Sequence, residues 1–180
     1  MSACQLTALV AALGMPAAAA VVPQAPPELA TELPAAALQG SVEMRFLGLR
    51  ICDIRLWTAG GALPADWSSA PLALEITYAR SLDGRRIAER SLKEMQRQAE
   101  IDPAQGERWL DTMKRLFPDV HEGDRITGVQ HPGAGARFFV DGRFRGEVAD
   151  PQFARLFFGI WLSPRSSEPA LRAALIGGAR

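Results

Sequence analysis

The chain has few of the residues that form disulfides or bind metals. It contains two cysteines, of which Cys4 lies in an apolar N-terminal segment. If that segment is removed as a leader, Cys52 is the remaining thiol, and an intramolecular disulfide is excluded. The two histidines, His121 and His131, have no Cys, Asp or Glu partner at a familiar ligand spacing, so we expect no metal site.

Net charge and long apolar runs are also lacking. Twenty basic side chains balance twenty acidic ones, so the composition favours neither nucleic acid nor an anionic membrane as a partner. The body of the chain has no apolar run of about 18 residues, and we expect no transmembrane span. At 180 residues, the chain is long enough for one core of ordinary size.

The N-terminal third divides into a predicted leader, a linker and the start of a domain. Residues 1–20 are apolar and then rich in small residues, which is typical of a secretory leader, although the basic start of such a leader is absent. We therefore expect a periplasmic or secreted protein; the alternative is a low-complexity N-terminus or a start codon assigned too late. Residues 21–37 hold four prolines and are expected to be an extended linker or a loosely packed arm, and residues 38–180 the domain.

Hydrophobic periodicity predicts an α+β fold. Residues 44–57 and 72–79 are rich in β-branched, aromatic and leucine side chains, and 124–150 is typical of three short strands joined by glycine-containing turns. Helical patterns follow Asp83, Asp102 and Asp150, and a short fourth helix covers 168–176. Because strands and helices are grouped rather than alternating, we expect an antiparallel sheet covered on one face by helices.

Sequence motifs for common chemistries are missing. GAGA at 133–136 leads into a strand and not into a helix, so it is not a phosphate loop, and we expect no cofactor. No Gly-x-Ser-x-Gly turn is present to carry a nucleophilic serine. The charged helix after Asp83 has opposite charges four residues apart, which indicates a solvated face.

Two features stand out against this background. The helix FARLFFGIWL, residues 153–162, is apolar almost all the way round, so Phe157, Phe158 and Trp161 are either core or the wall of a cavity for an apolar ligand. Arg45 shares strand parity with apolar neighbours in an otherwise apolar strand. It either faces inward, where it needs an anion, or lies at a frayed strand end and reaches water.

The elements, taken in order, resemble the bacterial chalcone isomerase-like proteins, secreted relatives of plant chalcone isomerase and of plant fatty-acid-binding proteins. The resemblance covers about residues 38–177 and is carried by GSVEMRFLGLRICDIRLW, LFPDV, HEGDRITGV, GARFFVDGRFRGEVADPQFARLFFGIWL and SEPALRAALIG. It implies a ligand cleft between sheet and helices. It also implies that Arg45, at the position of the family's cleft arginine, binds an anionic oxygen or carboxylate of the ligand.

The same resemblance argues against chalcone cyclisation. The threonine of the plant enzyme falls at Cys52 and its late hydroxyl residue falls near Phe158. The one tyrosine, Tyr78, lies on a strand rather than on a helix, and the chain has no asparagine. Conjugate addition needs donors aimed at the developing enolate, and these substitutions remove most of them.

Three hypotheses follow from these residues. The first is a noncatalytic module that binds a small apolar acid, such as a fatty acid, through a ligand-binding set. That set consists of Arg45, Cys52, Tyr78, Phe157, Phe158 and Trp161. The second is an isomerase or intramolecular lyase on an unknown substrate, in which Arg45 polarises an oxygen and Cys52 or Tyr78 assists. The third is a ligand-free protein that acts through a partner surface.

Overall fold

The structure is a computed structural model that describes residues 23–60 and 63–177. The predicted leader, 1–20, lies outside the described residues. The described residues form six strands: β1 Ala36–Phe46, β2 Leu49–Ala59, β3 Leu72–Tyr78, β4 Arg125–His131, β5 Gly135–Val140 and β6 Arg143–Val148. Their helices are α1 Leu29–Glu32, α2 Gly84–Gln96, α3 Pro103–Leu116, α4 Pro151–Leu162 and α5 Pro169–Ile176, and a 3₁₀ turn covers Trp67–Ser69.

All six strands form one antiparallel sheet in sequence order, β1 to β6. The long connection between β3 and β4 carries α2 and α3, and α4 and α5 follow β6. These four helices cover one face of the sheet, which we call the inner face, and the larger core lies between them and the strands. The predicted α+β fold is confirmed.

Aspartate caps begin the three long helices. Asp83, Asp102 and Asp150 each accept a hydrogen bond from a backbone amide in the first turn of α2, α3 and α4, at 2.9–3.2 Å. Proline follows the cap in α3 and α4, where its missing N–H would have no partner in the helix. The helix starts predicted from the two Asp-Pro pairs are confirmed.

The apolar stretch 44–57, expected as one strand, is a hairpin. Leu47 and Gly48 both have positive φ, 49° and 79°, which is the backbone of a two-residue type I′ turn. The ladder between β1 and β2 also shifts register between Met44 and Arg45, so that Ile51 is an extra residue on β2. The prediction missed the turn because Leu-Gly lacks the Asn or Asp that usually marks it.

The expected linker, 21–37, is packed along its described part, and the prediction of an extended segment is wrong there. Residues 29–32 form α1, and β1 already begins at Ala36. Leu29 and Leu33 are fully buried against the face of the sheet opposite the helices, which we call the outer face. These two side chains anchor the proline-rich segment, because they form a cluster with Trp57 and Phe139.

Helix α4 lies at the centre of the inner core. Phe153, Phe158 and Leu162 are fully buried. The ring of Phe153 stacks on that of Phe157 at 5.5 Å. Gly159 provides a close approach: a Cβ at this position would lie 2.1 Å from Oε1 of Gln98, whose amide donates to a carbonyl of α4.

Candidate functional site: an apolar cavity beneath the helices

A cavity of about 380 Å³ lies between the inner face and the helices. This volume falls within the range of small-molecule pockets, about 300–1,000 Å³. Strands β1 to β4 form its floor, and α2 and α4 form its walls. Its lining is predominantly apolar and includes Met44, Ile51, Ile76, Ile126, Phe157 and Ile160.

Four of the six residues predicted to bind ligand line this cavity: Cys52, Tyr78, Phe157 and Trp161. Phe158 does not. It is fully buried one helical step away from the cavity wall, and its ring packs edge-on against that of Phe157. A residue next to another on a helix points about 100° away, which explains why the two phenylalanines differ. That these four residues bind a ligand stays a prediction.

Arg45 lies outside the cavity, contrary to the inward orientation we expected. Its side chain is 59 % exposed, and its Nε lies 2.5 Å from Oε1 of Glu43. Its Nη1 donates to the carbonyl oxygen of Gly48 at 3.2 Å. Met44, the preceding residue of β1, lines the cavity, so Arg45 points away from it, since successive residues of a strand point to opposite faces. The expectation instead grouped Arg45 with apolar residues that the turn at Leu47 and Gly48 places on a second strand.

The register shift between β1 and β2 brings one further residue, Ile51, to the cavity wall. Met44, next to Arg45, lines it from β1, and Ile51, the extra residue of β2, lines it together with Cys52. Adjacent residues of a regular strand would point to opposite faces. The irregular ladder therefore makes the end of the hairpin a part of the cavity wall.

Cys52 and Tyr78 face the cavity as neutral groups. They are direct cross-strand partners in the ladder between β2 and β3. Burial raises the pKa of the Cys52 thiol to about 12, and the nearby Asp53 carboxylate adds to this shift. Burial likewise raises the pKa of Tyr78. At neutral pH both groups keep their protons, so they offer a ligand weak hydrogen bonds rather than a base or a nucleophile.

The polar rim of the cavity comes largely from α2. Glu94 lines the cavity with a carboxylate that is only 6 % exposed, and Nη2 of Arg90 lies 2.8 Å from its Oε1. The Nε of Arg97 lies 3.6 Å from the other oxygen. The buried carboxylate thus has two cationic neighbours, and Arg90 already has an anionic partner.

Arg86 is the exception on this rim. It lines the cavity one turn before Arg90, its side chain is exposed, and within residues 23–60 and 63–177 no carboxylate oxygen lies within 4 Å of its guanidinium. Glu89, three residues further on, pairs instead with Lys114 of α3 at 3.4 Å. Arg86 was not among the predicted ligand-binding residues, since the charged face of α2 was expected to be solvated throughout.

The described residues contain neither a metal-binding cluster nor a membrane-spanning helix. Nowhere in them do three His, Cys, Asp or Glu side chains come together as a group able to hold a metal ion. Among the same residues, no helix has both the length and the apolar character needed to cross a membrane.

A six-stranded antiparallel meander, with helices enclosing an apolar cavity on one face, defines a small class of α+β proteins. The sequence model of chalcone isomerase-like proteins matches residues 60–177. The chain therefore belongs to the chalcone isomerase-like family.

Two further comparisons place the chain among its relatives. An uncharacterised protein of Haemophilus influenzae is 28 % identical over 138 residues, a match that covers 77 % of this chain and 66 % of the relative. The crystal structure of a fatty-acid binding protein of Arabidopsis thaliana superposes with a TM-score of 0.62. That match covers 79 % of this chain and 87 % of the other at 11 % identity, which shows a shared fold.

Proposed function

We propose that this protein binds a small apolar acid, such as a fatty acid, in the inner cavity without converting it chemically. The observation that carries the proposal is an apolar cavity of about 380 Å³ whose rim holds a guanidinium without an anionic partner. Burial of an alkyl chain contributes about 0.8 kcal/mol per CH₂ group. The neutral state of Cys52 and Tyr78 supports binding rather than catalysis by either group.

Arg86 is the proposed anchor for the carboxylate. Its neighbour Arg90 is engaged with Glu94, so a ligand would have to compete for that cation. Arg86 has no such competitor among the described residues. An arginine at a rim can hold a carboxylate through two parallel hydrogen bonds while the alkyl chain lies in the cavity.

The shared fold supports this choice of ligand class. The Arabidopsis protein is a fatty-acid binding protein, and this chain shares that fold over 79 % of its own length. The predicted leader at 1–20 adds the proposal that the protein is exported and works in the periplasm. N-terminal sequencing of the protein from periplasmic extract tests that part separately.

The binding proposal is tested by titrating the purified protein with cis-parinaric acid, a fluorescent fatty acid, and by mass spectrometry of lipids extracted from it. Arg86→Gln removes the proposed anchor charge, and Arg45→Gln is a matched control that removes an exposed arginine outside the cavity. We expect Arg86→Gln to raise Kd about three- to tenfold, since the rim is accessible to water. Arg45→Gln should leave Kd within about twofold.

Two results would overturn the proposal. If the wild-type protein neither binds the probe nor carries lipid after extraction, the cavity does not serve an apolar acid. If Arg45→Gln weakens binding and Arg86→Gln does not, the anchor is the arginine predicted from the family resemblance, and Arg86 has no role in binding. Circular dichroism of both variants checks that each keeps the fold.

A further inference from the structure

The tip of the β1–β2 hairpin is an exposed apolar surface. Residues 46–49 carry three of the four large apolar side chains that are exposed in the described part of the chain: Phe46 at 63 %, Leu47 at 86 % and Leu49 at 53 %. The fourth, Phe144, lies on β6 at the other edge of the sheet. A scattered exposed leucine is ordinary, but three such residues at one tip mark an interaction surface.

The conformation of Leu47 strengthens this interpretation. It has φ of 49° in a two-residue turn, where asparagine, aspartate or glycine is the usual residue. Leucine is strained in this region of φ and, at 86 % exposure, contributes little to the core. A residue that is both strained and exposed points to a role outside the folding of the domain.

Charge is arranged in layers behind the tip. Arg45 and Arg50 face each other in the ladder immediately behind the pair Phe46 and Leu49. Glu43 and Asp53 form the next charged pair, and their carboxylates contact the two arginines from the side away from the tip. With a rise of about 3.4 Å per residue, the acidic pair lies roughly 7 Å further from the tip than the basic pair.

This order matches the layers of a lipid surface. Apolar side chains at the tip suit the acyl boundary. The two arginines a few ångströms behind are paired with Glu43 and Asp53, but each guanidinium keeps N–H groups that these carboxylates do not use and that can donate to phosphates. The carboxylates lie furthest back, away from the phosphates. We propose that the hairpin tip inserts into the surface of a phospholipid bilayer.

The hairpin tip lies close to one end of the cavity, so docking could deliver a ligand from the membrane. This step rests on the proposed function. Met44 and Ile51 line the cavity, and each lies two residues from the tip, which begins at Phe46 and ends at Leu49. A docked hairpin would hold this end of the cavity against the membrane. An apolar acid could then pass between bilayer and cavity with little exposure to water.

Co-flotation with vesicles made of equal parts phosphatidylcholine and phosphatidylglycerol tests the proposal. The double variant Phe46→Ser/Leu47→Asn removes two of the three exposed apolar side chains of the tip, and asparagine suits the turn, so the fold should be retained. Phe144→Ser is the matched control, because it removes an exposed phenylalanine far from the hairpin. We expect the wild type and the control to float, and the double variant to bind at least tenfold more weakly.

The proposal is overturned if the wild type stays with the soluble fraction, or if Phe144→Ser lowers flotation as much as the tip variant does. It is also overturned if gel filtration shows that the tip change instead dissolves a dimer, since the occupant would then be a second copy. Intact-mass measurements check that the wild type and the variants have the same N-terminus. The double variant should still bind cis-parinaric acid, so failure of membrane docking and failure of ligand binding are distinguishable.

Discussion

The two faces of the sheet differ in what they bury: the outer face buries hydrogen-bonded carboxylates, and the inner face encloses an apolar cavity. On the outer face, Glu28 and Glu32 at the two ends of α1 belong to a hydrogen-bond network. Each carboxylate is hydrogen-bonded to at least two side chains from β4 or β5. On the inner face, apolar side chains surround a cavity of about 380 Å³. The outer face therefore uses its polar groups for structure, whereas the inner face keeps free volume that a ligand can fill.

The largest expected effect concerns the thiol of the inner face. Because the pKa of Cys52 is about 12, its thiolate fraction at pH 8 is ~10⁻⁴. A thiol with a pKa of 9.0 has a thiolate fraction of ~10⁻¹ at the same pH. In a Cys4→Ser background, we expect the native protein to react with Ellman's reagent about 1,000-fold more slowly than the urea-unfolded chain. Equal rates in the two states would mean that Cys52 faces water and that the cavity is open to solvent.

The same shift predicts a pH dependence of stability. Folding raises the pKa of Cys52 from 9.0 to about 12, so between these values the folded protein binds more protons than the unfolded chain. The free energy of unfolding should therefore fall as the pH rises above about 9. Urea titrations of Cys52→Ala should show a weaker decline over this range, with the part that remains due in part to Tyr78, whose pKa is also raised.

A carboxylate of the outer face provides the next test. Glu28 accepts hydrogen bonds from Nη2 of Arg125 at 3.0 and 3.1 Å and from Oγ1 of Thr127 at 2.7 Å. Glu28→Ala leaves both donors without this acceptor, one of them fully buried, so unfolding should become easier by about 3 kcal/mol. Glu43→Ala, at an exposed ion pair, should cost about 0.5 kcal/mol or less in the same urea titration. Similar losses in the two variants would contradict a structural role for the outer network.

Local patterns predicted most of the elements of the fold. Aspartate before proline, alternation in 72–79 and the Asp141-Gly142 turn each depend on neighbours within a few residues, and each is present in the structure. The Leu47-Gly48 turn does not follow its usual composition, so the hairpin was hidden in an apolar run. The packing of 23–37 depends on partners about 100 residues away in the sequence, as in the contacts of Glu28 and Glu32.

Arg45 and Arg86 show why the charged residue of the candidate site could not be predicted from the sequence. Arg45 was assigned to the cleft by its place in the family pattern, but the preceding residue, Met44, faces the cavity, so Arg45 faces the other way. Arg86 lies in a run of charges whose pairing follows from tertiary contacts, because Glu89 pairs with Lys114 on another helix. Neither the register of a hairpin nor the distribution of ion pairs between helices can be derived from spacing alone.

Filling the cavity should have the smallest effect of these changes. It compares the roles of the two faces in ligand binding most directly. Ile76 lines the cavity and is partly buried, so Ile76→Phe places a larger ring in free volume with little strain. We expect Kd for cis-parinaric acid to rise about tenfold while the free energy of unfolding changes by less than about 1 kcal/mol. Thr77→Phe adds bulk to the outer face of the same strand and should leave Kd unchanged. If both variants weaken binding equally, the ligand does not occupy the inner cavity, and the contrast between the faces has no bearing on function.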